Sequence, residues 1–176
     1  MDPFATLGLP RRYDVDKVEL DRRYRELQQT LHPDKHASAP ASERALTLRK
    51  AIEVNEAYRV LRDDQKRAEA LLATLGGRVS DQTADPELLM EMMELRESLS
   101  EARADKDAAR VAKLSAAVAE HAAGARRELA QVFEQLQKES APIASGLQRA
   151  QALLGRLRYY RRFQDEVAMF EDDALG

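Results

Sequence analysis

Apolar residues recur along this chain at the three- and four-residue spacing of helices, and the alternating spacing of strands is missing. A short first helix is expected over residues 3–8, closed by Gly8 and Pro10. The second runs over 15–31 with Asp14 as N-cap, and Leu20, Tyr24, Leu27 and Leu31 make one apolar stripe along it. Pro33 disfavours helical geometry at His32 and stops this helix. A loop from His32 to Pro40 leads to a third helix over 41–62. Leu48, Ile52, Asn55, Tyr58 and Leu61 lie along one side of it, and Ala45 and Ala57 favour close helix approach. Asp63-Asp64 interrupts the pattern, and a fourth helix over 65–75 ends at Gly76-Gly77.

The polar, Gly-containing segment 76–85 is the best linker in the chain. Asp85-Pro86-Glu87 is a helix start, with a cap, a proline near N1 and an acid in the first turn. The fifth helix reaches Arg103 and breaks at Asp105-Lys106-Asp107. A sixth spans 107–139, with Val111, Leu114, Val118, Ala125, Leu129, Val132 and Leu136 on one side. Within it, Gly124 costs about 1 kcal/mol relative to Ala and hints at a bend or a close contact. His121 falls among the apolar positions and reads as a packed, hydrogen-bonded core residue. Ser140-Ala-Pro142 opens a seventh helix reaching Phe170, whose inner stripe is Ile143, Leu147, Leu154 and Leu157. Its acidic end is expected to fray. Long helices on short connections read as an antiparallel bundle. The expected fold is all-α, a helical hairpin with short flanking helices over 1–75, the 76–85 linker, and a three-helix bundle over 86–176.

Composition narrows the chemistry. The 176 residues are 44% hydrophobic and 34% charged, with a formal net charge of −3, which argues against wholesale nucleic-acid binding. There is no cysteine, which removes disulfides, thiolate nucleophiles and thiolate ligands for metals or clusters together. The first residues carry no basic and apolar segments of a secretory signal, and no apolar run approaches the roughly 20 residues of a membrane span. A soluble, cytoplasmic protein is expected.

The strongest signal is His32-Pro33-Asp34-Lys35, between two amphipathic helices. The proline stiffens the loop, Asp34 can accept backbone hydrogen bonds or meet a partner's arginine, and His32 offers a donor and an acceptor. Arg22 and Arg25 fall opposite the Leu20/Tyr24/Leu27/Leu31 stripe, with Arg23 at its flank. An Asp–His general base is a competing reading. The chain has no cysteine nucleophile, no Gly-x-Ser-x-Gly elbow and no Gly-rich phosphate loop, so no enzyme is expected. Metal binding by His32, Asp34 and His36 competes too, but three residues on one short loop make a poor site, and neither metal nor cofactor is expected.

Together with Phe4-Ala-Thr-Leu-Gly-Leu-Pro10, Tyr24-Arg-Glu-Leu27, Asn55-Glu-Ala-Tyr58 and Leu61, the tripeptide resembles the mark of a J-domain over about residues 1–75. That resemblance implies docking on the nucleotide-binding domain and linker of a DnaK-type chaperone through His32, Pro33, Asp34, Lys35, Arg22 and Arg25.

The fifth helix carries the second signal. Leu88, Met92, Leu95 and Leu99 form a narrow stripe facing the bundle, and Leu89, Met90 and Met93 fall about 100–200° away. Glu94, Glu97 and Glu101 share their side. An apolar patch bordered by acids suggests a partner surface, or else a face covered by a neighbouring element. Leu89-Met90-Glu91-Met92-Met93-Glu94-Leu95-Arg96-Glu97, the short J-domain and Arg67-Ala-Glu-Ala-Leu-Leu72 together resemble the HscB family, J-type co-chaperones of bacterial iron–sulfur cluster assembly, along the whole chain. The resemblance implies that the bundle binds the cluster scaffold, IscU, through Leu89, Met90, Met93, Glu94, Glu97, Glu101 and Tyr159, and that the chaperone is HscA. The aromatic is tyrosine here rather than the family's phenylalanine, and the paired cysteines of the eukaryotic zinc module are absent, which favours a bacterial type. A J-domain protein for another client and a purely structural helical oligomer are the alternatives.

Overall fold

The computed structural model describes residues 1–36, 38–77, 86–138 and 142–175, apart from the side chains of 36 and 170–175. Among the described residues the chain is all-α, with no strand. The helices are α1 (Pro3–Leu7), α2 (Lys17–Thr30), α3 (Ala41–Arg62), α4 (Asp64–Thr74), α5 (Pro86–Ala104), α6 (Ala108–Gln137) and α7 (Ile143–Leu175), with a 3-10 turn at Pro33–His36. The chain divides into two compact units, Met1–Arg78 and Val79–Gly176. Most of the expected linker, residues 78–85, lies outside the described residues, as do the expected cap Asp85 and Ser140 and Ala141 before α7.

In the first unit, Asp2 caps α1 and Gly8 ends it at φ +65°, a left-handed conformation glycine adopts without strain. Phe4 and Leu7 bury completely with Leu20, Val54, Ala57, Leu61, Leu71 and Leu72. α2 begins two residues later than the pattern suggests. Asp16, not Asp14, is its N-cap, accepting from the N–H groups of Val18 at 2.9 Å and Glu19 at 3.4 Å. Two expected inner residues of α3 are not inner, since Leu48 and Ile52 are each 60% exposed. Ala45 is exposed as well. The cause is length: α2 has 14 residues and α3 has 22. Because Gln28 near the end of α2 meets Asn55, the first half of α3 overhangs its partner, and the buried positions all fall at Val54, Ala57 and Leu61.

Arg67 is the buried charged residue of this unit. Its Nε donates to the Tyr13 carbonyl at 2.7 Å, one terminal nitrogen to the Leu61 carbonyl at 2.7 Å, and the other to Asp64 at 2.7 Å. These three donated bonds compensate the cost of burying the guanidinium. They also tie the segment before α2 to the α3–α4 junction.

In the second unit, α6 and α7 pack along their length and α5 lies mainly on α6. Leu88, Met92 and Leu99 of α5 are buried, as are Val111, Val118, Leu129 and Phe133 of α6 and Leu154, Leu157 and Phe163 of α7. Leu95 is half-buried. A Cβ on Gly146 would fall 2.5 Å from Leu136 Cδ2, so glycine there permits the close approach of α7 to the end of α6. Gly124 has no such role, because only the far end of Arg127 comes near, at 3.8 Å, and α6 runs through it unbroken. Ile143 is 61% exposed rather than inner, as the first residue of α7, past the last turn of α6. Leu154 and Leu157 are inner as expected and Leu147 is half-buried, and the stripe also takes in Ala150, Leu153, Tyr160, Phe163 and Val167.

Candidate functional site

The His-Pro-Asp tripeptide follows the last turn of α2, where the Leu31 N–H still bonds to the Leu27 carbonyl. Pro33 then starts the 3-10 turn rather than an open loop, closed by the Lys35 N–H on the His32 carbonyl at 3.1 Å. The Asp34 N–H donates to His32 Nδ1 at 3.3 Å, and the Asp34 carboxylate lies 3.5 Å from the same nitrogen. The Asp34 side chain is 90% exposed. An exposed imidazole beside a solvent-facing carboxylate offers a polar ring and an anion to an approaching surface.

The hairpin below is clasped by polar side chains. Tyr24 and Tyr58 stack with centroids 4.0 Å apart. The Tyr58 hydroxyl donates to Asp21 at 2.8 Å, and that acceptor raises the phenol's pKa. Tyr24 and Gln28 both donate to Asn55, at 3.0 and 2.5 Å. Reading from sequence placed Tyr24, Tyr58 and Asn55 on stripes but missed these cross-helix bonds and Asp21, whose partner lies 37 residues away.

The two arginines expected to dock on the chaperone differ. Arg22 is held by Glu19 at 2.6 Å and Glu26 at 2.5 Å, and the Glu19 bonds raise its pKa. Arg25 is exposed and forms no ion pair among the described residues. The i±3 and i±4 spacing of Glu19 and Glu26 about Arg22 was a readable signal for that pairing.

On α5, Leu89 is 36%, Met90 63% and Met93 71% exposed. Glu94 and Glu97 beside them are exposed and unpaired among the described residues, and Glu101 pairs with Arg110 at 2.7 Å. Arg96 pairs with Glu166 of α7 at 2.7 Å, with an Nε bond from the same arginine. Leu89 and Tyr159 each lie seven residues before a member of this pair, and seven residues bring a helix back to within about 20° of the same face. α5 and α7 run parallel, since each connects to α6 by a reversal. Tyr159 therefore falls on the face of α7 that meets α5, and Leu89 on the face of α5 that meets α7, with the Arg162 guanidinium 5.9 Å from the Tyr159 ring centroid.

His121 is not a core residue. It is exposed, pairs with Glu91 at 2.9 Å and sits 6.0 Å from the Tyr160 ring. Burial, with the Glu91 carboxylate beside it, pushes the Tyr160 phenol up. These groups line an open cleft of about 520 Å³ with Glu120, Glu128 and Arg156. Its carboxylates are paired to His121, Arg127 and Arg149. No group of His, Asp and Glu among the described residues is arranged to hold a metal.

Known proteins match both units. The DnaJ domain model covers residues 2–70, and the model described as the HSCB C-terminal oligomerisation domain covers residues 84–168. A co-chaperone protein HscB homolog of Vibrio vulnificus (strain YJ016) is 34% identical over 179 residues, with 100% of each chain aligned. This chain belongs to the HscB family. It is the family of J-domain co-chaperones of iron–sulfur cluster assembly that the sequence resembles. A second HscB homolog, from Vibrio cholerae serotype O1 (strain M66-2), is 36% identical over 181 residues and again aligned over 100% of both chains. The solved chaperone HscB from Vibrio cholerae is 31% identical with TM-score 0.80, covering 99% of each chain. Human co-chaperone protein HscB, at 24% identity, shares the fold with TM-score 0.83 over 97% of this chain and 82% of its own. The described residues contain no helix long and apolar enough to cross a membrane.

Proposed function

We propose that this HscB-family co-chaperone binds an IscU-type iron–sulfur cluster scaffold on its bundle and delivers it to an HscA-type, DnaK-like ATPase, whose ATP hydrolysis it stimulates. The observation that carries the reading is on α5. Leu88, Met92 and Leu99 satisfy the bundle's core, yet Leu89, Met90 and Met93 of the same helix stand exposed beside unpaired glutamates. Exposed apolar side chains grouped in that way mark a partner surface. Residues 1–75 would act as the J-domain and 86–176 as the scaffold-binding domain, joined by 76–85. In the first, His32, Pro33, Asp34, Lys35, Arg22 and Arg25 would meet the chaperone. In the second, Leu89, Met90, Met93, Glu94, Glu97, Glu101 and Tyr159 would meet the scaffold. With no cysteine, the cluster's thiolate ligands belong to the scaffold.

The mechanism is tethering. Holding the client on one domain while the other docks raises the client's effective concentration at the chaperone without any new contact between them. Cytoplasmic location follows from that role. The test measures chaperone ATPase rates with this protein, with the scaffold and with both. Stimulation beyond the sum of the separate effects is expected. Stimulation by this protein that the scaffold leaves unchanged would point to another client.

A further inference from the structure

The client surface has two differently charged walls. On α5, Glu94 and Glu97 stand exposed and unpaired among the described residues. On α7, Arg162 is exposed, forms no ion pair among the described residues, and has its guanidinium 5.9 Å from the Tyr159 ring centroid. Several other cations on the outside of this bundle are paired, while Lys113 and Arg126, away from this seam on α6, are exposed and form no ion pair among the described residues. Arg96 is paired with Glu166, Arg110 with Glu101, Arg127 with Glu120, and Arg149 with Glu128.

Register limits where Arg162 stands. Arg96 and Glu166 meet at a sequence separation of 70. Arg103 reaches the carbonyl of the same Glu166 at a separation of 63, so between those two offsets Tyr159 falls level with the Leu89–Arg96 stretch of α5 and Arg162 with Met92–Leu99. About the axis, Arg162 lies about 60° from Tyr159 and 40° from Glu166, on the outer lip of the α5–α7 seam. A guanidinium over an aromatic face is attracted to the ring, and its planar fork matches a carboxylate.

We infer that Arg162, braced on Tyr159 across the seam from Leu89 and Met93, is a further specificity-determining residue that takes a carboxylate of the scaffold client. The inference rests on the proposed function and sharpens it. The client segment carries an apolar ridge for Leu89, Met93 and Tyr159, basic side chains toward Glu94 and Glu97, and an acid on the opposite flank. Such an arrangement fixes the direction in which the segment lies, because reversing it sets like charges against both walls.

The experiment titrates the purified cluster scaffold, without its cluster, into the full chain and its Arg162 variants. Arg162→Gln should weaken binding several-fold and Arg162→Glu roughly tenfold, with the deficit shrinking as salt rises. Arg162→Lys should recover part of the loss, as charge is restored without the fork. Melting temperatures should stay together, since the side chain is exposed. Equal affinity of the wild-type and Arg162→Glu chains overturns this inference and leaves the proposed function standing. No scaffold binding by the wild-type chain overturns both. A wild-type dimer that Arg162→Glu converts to a monomer in sedimentation would give the cation to a second copy of the chain, and overturns the inference as well.

Discussion

His32 and Asp34 have nothing to do in the core. Their side chains are 57% and 90% exposed, and their contacts are with each other and the turn they form. Exposed substitutions of this kind usually change stability by no more than about 0.5 kcal/mol. His32→Gln or Asp34→Asn is therefore expected to abolish chaperone ATPase stimulation while circular dichroism melts stay superimposed. Stimulation retained by both variants would remove the loop from the docking role. The arginines should separate in the same way. Arg22 is engaged by Glu19 and Glu26, and Arg25 is not, so Arg25→Ala should slow chaperone association more than Arg22→Ala. Association kinetics at two ionic strengths check this, because the difference should narrow with salt. The residue types of the loop could be read from sequence, since a proline after a helical stripe dictates the turn. The place of His121 could not. Its neighbours Val118 and Ala122 are buried, but one position along the helix turns the side chain toward Glu91, 30 residues away in sequence.

At the scale of elements, spacing located the helices, and it failed where helices of unequal length leave a face uncovered. Leu48 and Ile52 keep helical spacing with Leu61, but α2 ends before it can cover them. Capping was similarly ambiguous, because Asp14 and Asp16 are both acids ahead of the same stripe and only the latter receives N–H groups. Thermal melts distinguish the two. Asp16→Ala should cost about 0.5–2 kcal/mol, as losses of an N-cap do, and Asp14→Ala should cost little. In α6 the glycine is a liability rather than a device. Gly124→Ala removes a helix-interior glycine with nothing in the way, and should raise stability by up to about 1 kcal/mol in the same measurement. Gly146→Ala, against Leu136, is the contrast and should destabilise.

At the scale of the whole chain, the two proposed surfaces belong to separate compact units, so client choice and chaperone activation should be separable by mutation. The client surface is the sharper case, because one helix supplies both its binding and its core residues. Truncating central apolar anchors of an interface typically costs about 2 kcal/mol or more of binding. Truncating buried residues of similar size costs about 2–5 kcal/mol of folding stability instead. Leu89, Met93 and Tyr159 are on the outer side and Leu99, 2% exposed, on the inner. The combined Leu89→Ala, Met93→Ala and Tyr159→Ala chain should lose scaffold binding and the scaffold's synergy in the ATPase assay, with only a small fall in melting temperature. Its J-domain should still stimulate the chaperone alone. Leu99→Ala should do the reverse, melting early while its folded fraction binds the scaffold normally. Half-buried Leu95→Ala should follow it with a smaller loss. A triple variant that unfolds would place those three side chains in the core. One that folds and binds normally would move the scaffold to another face of the bundle.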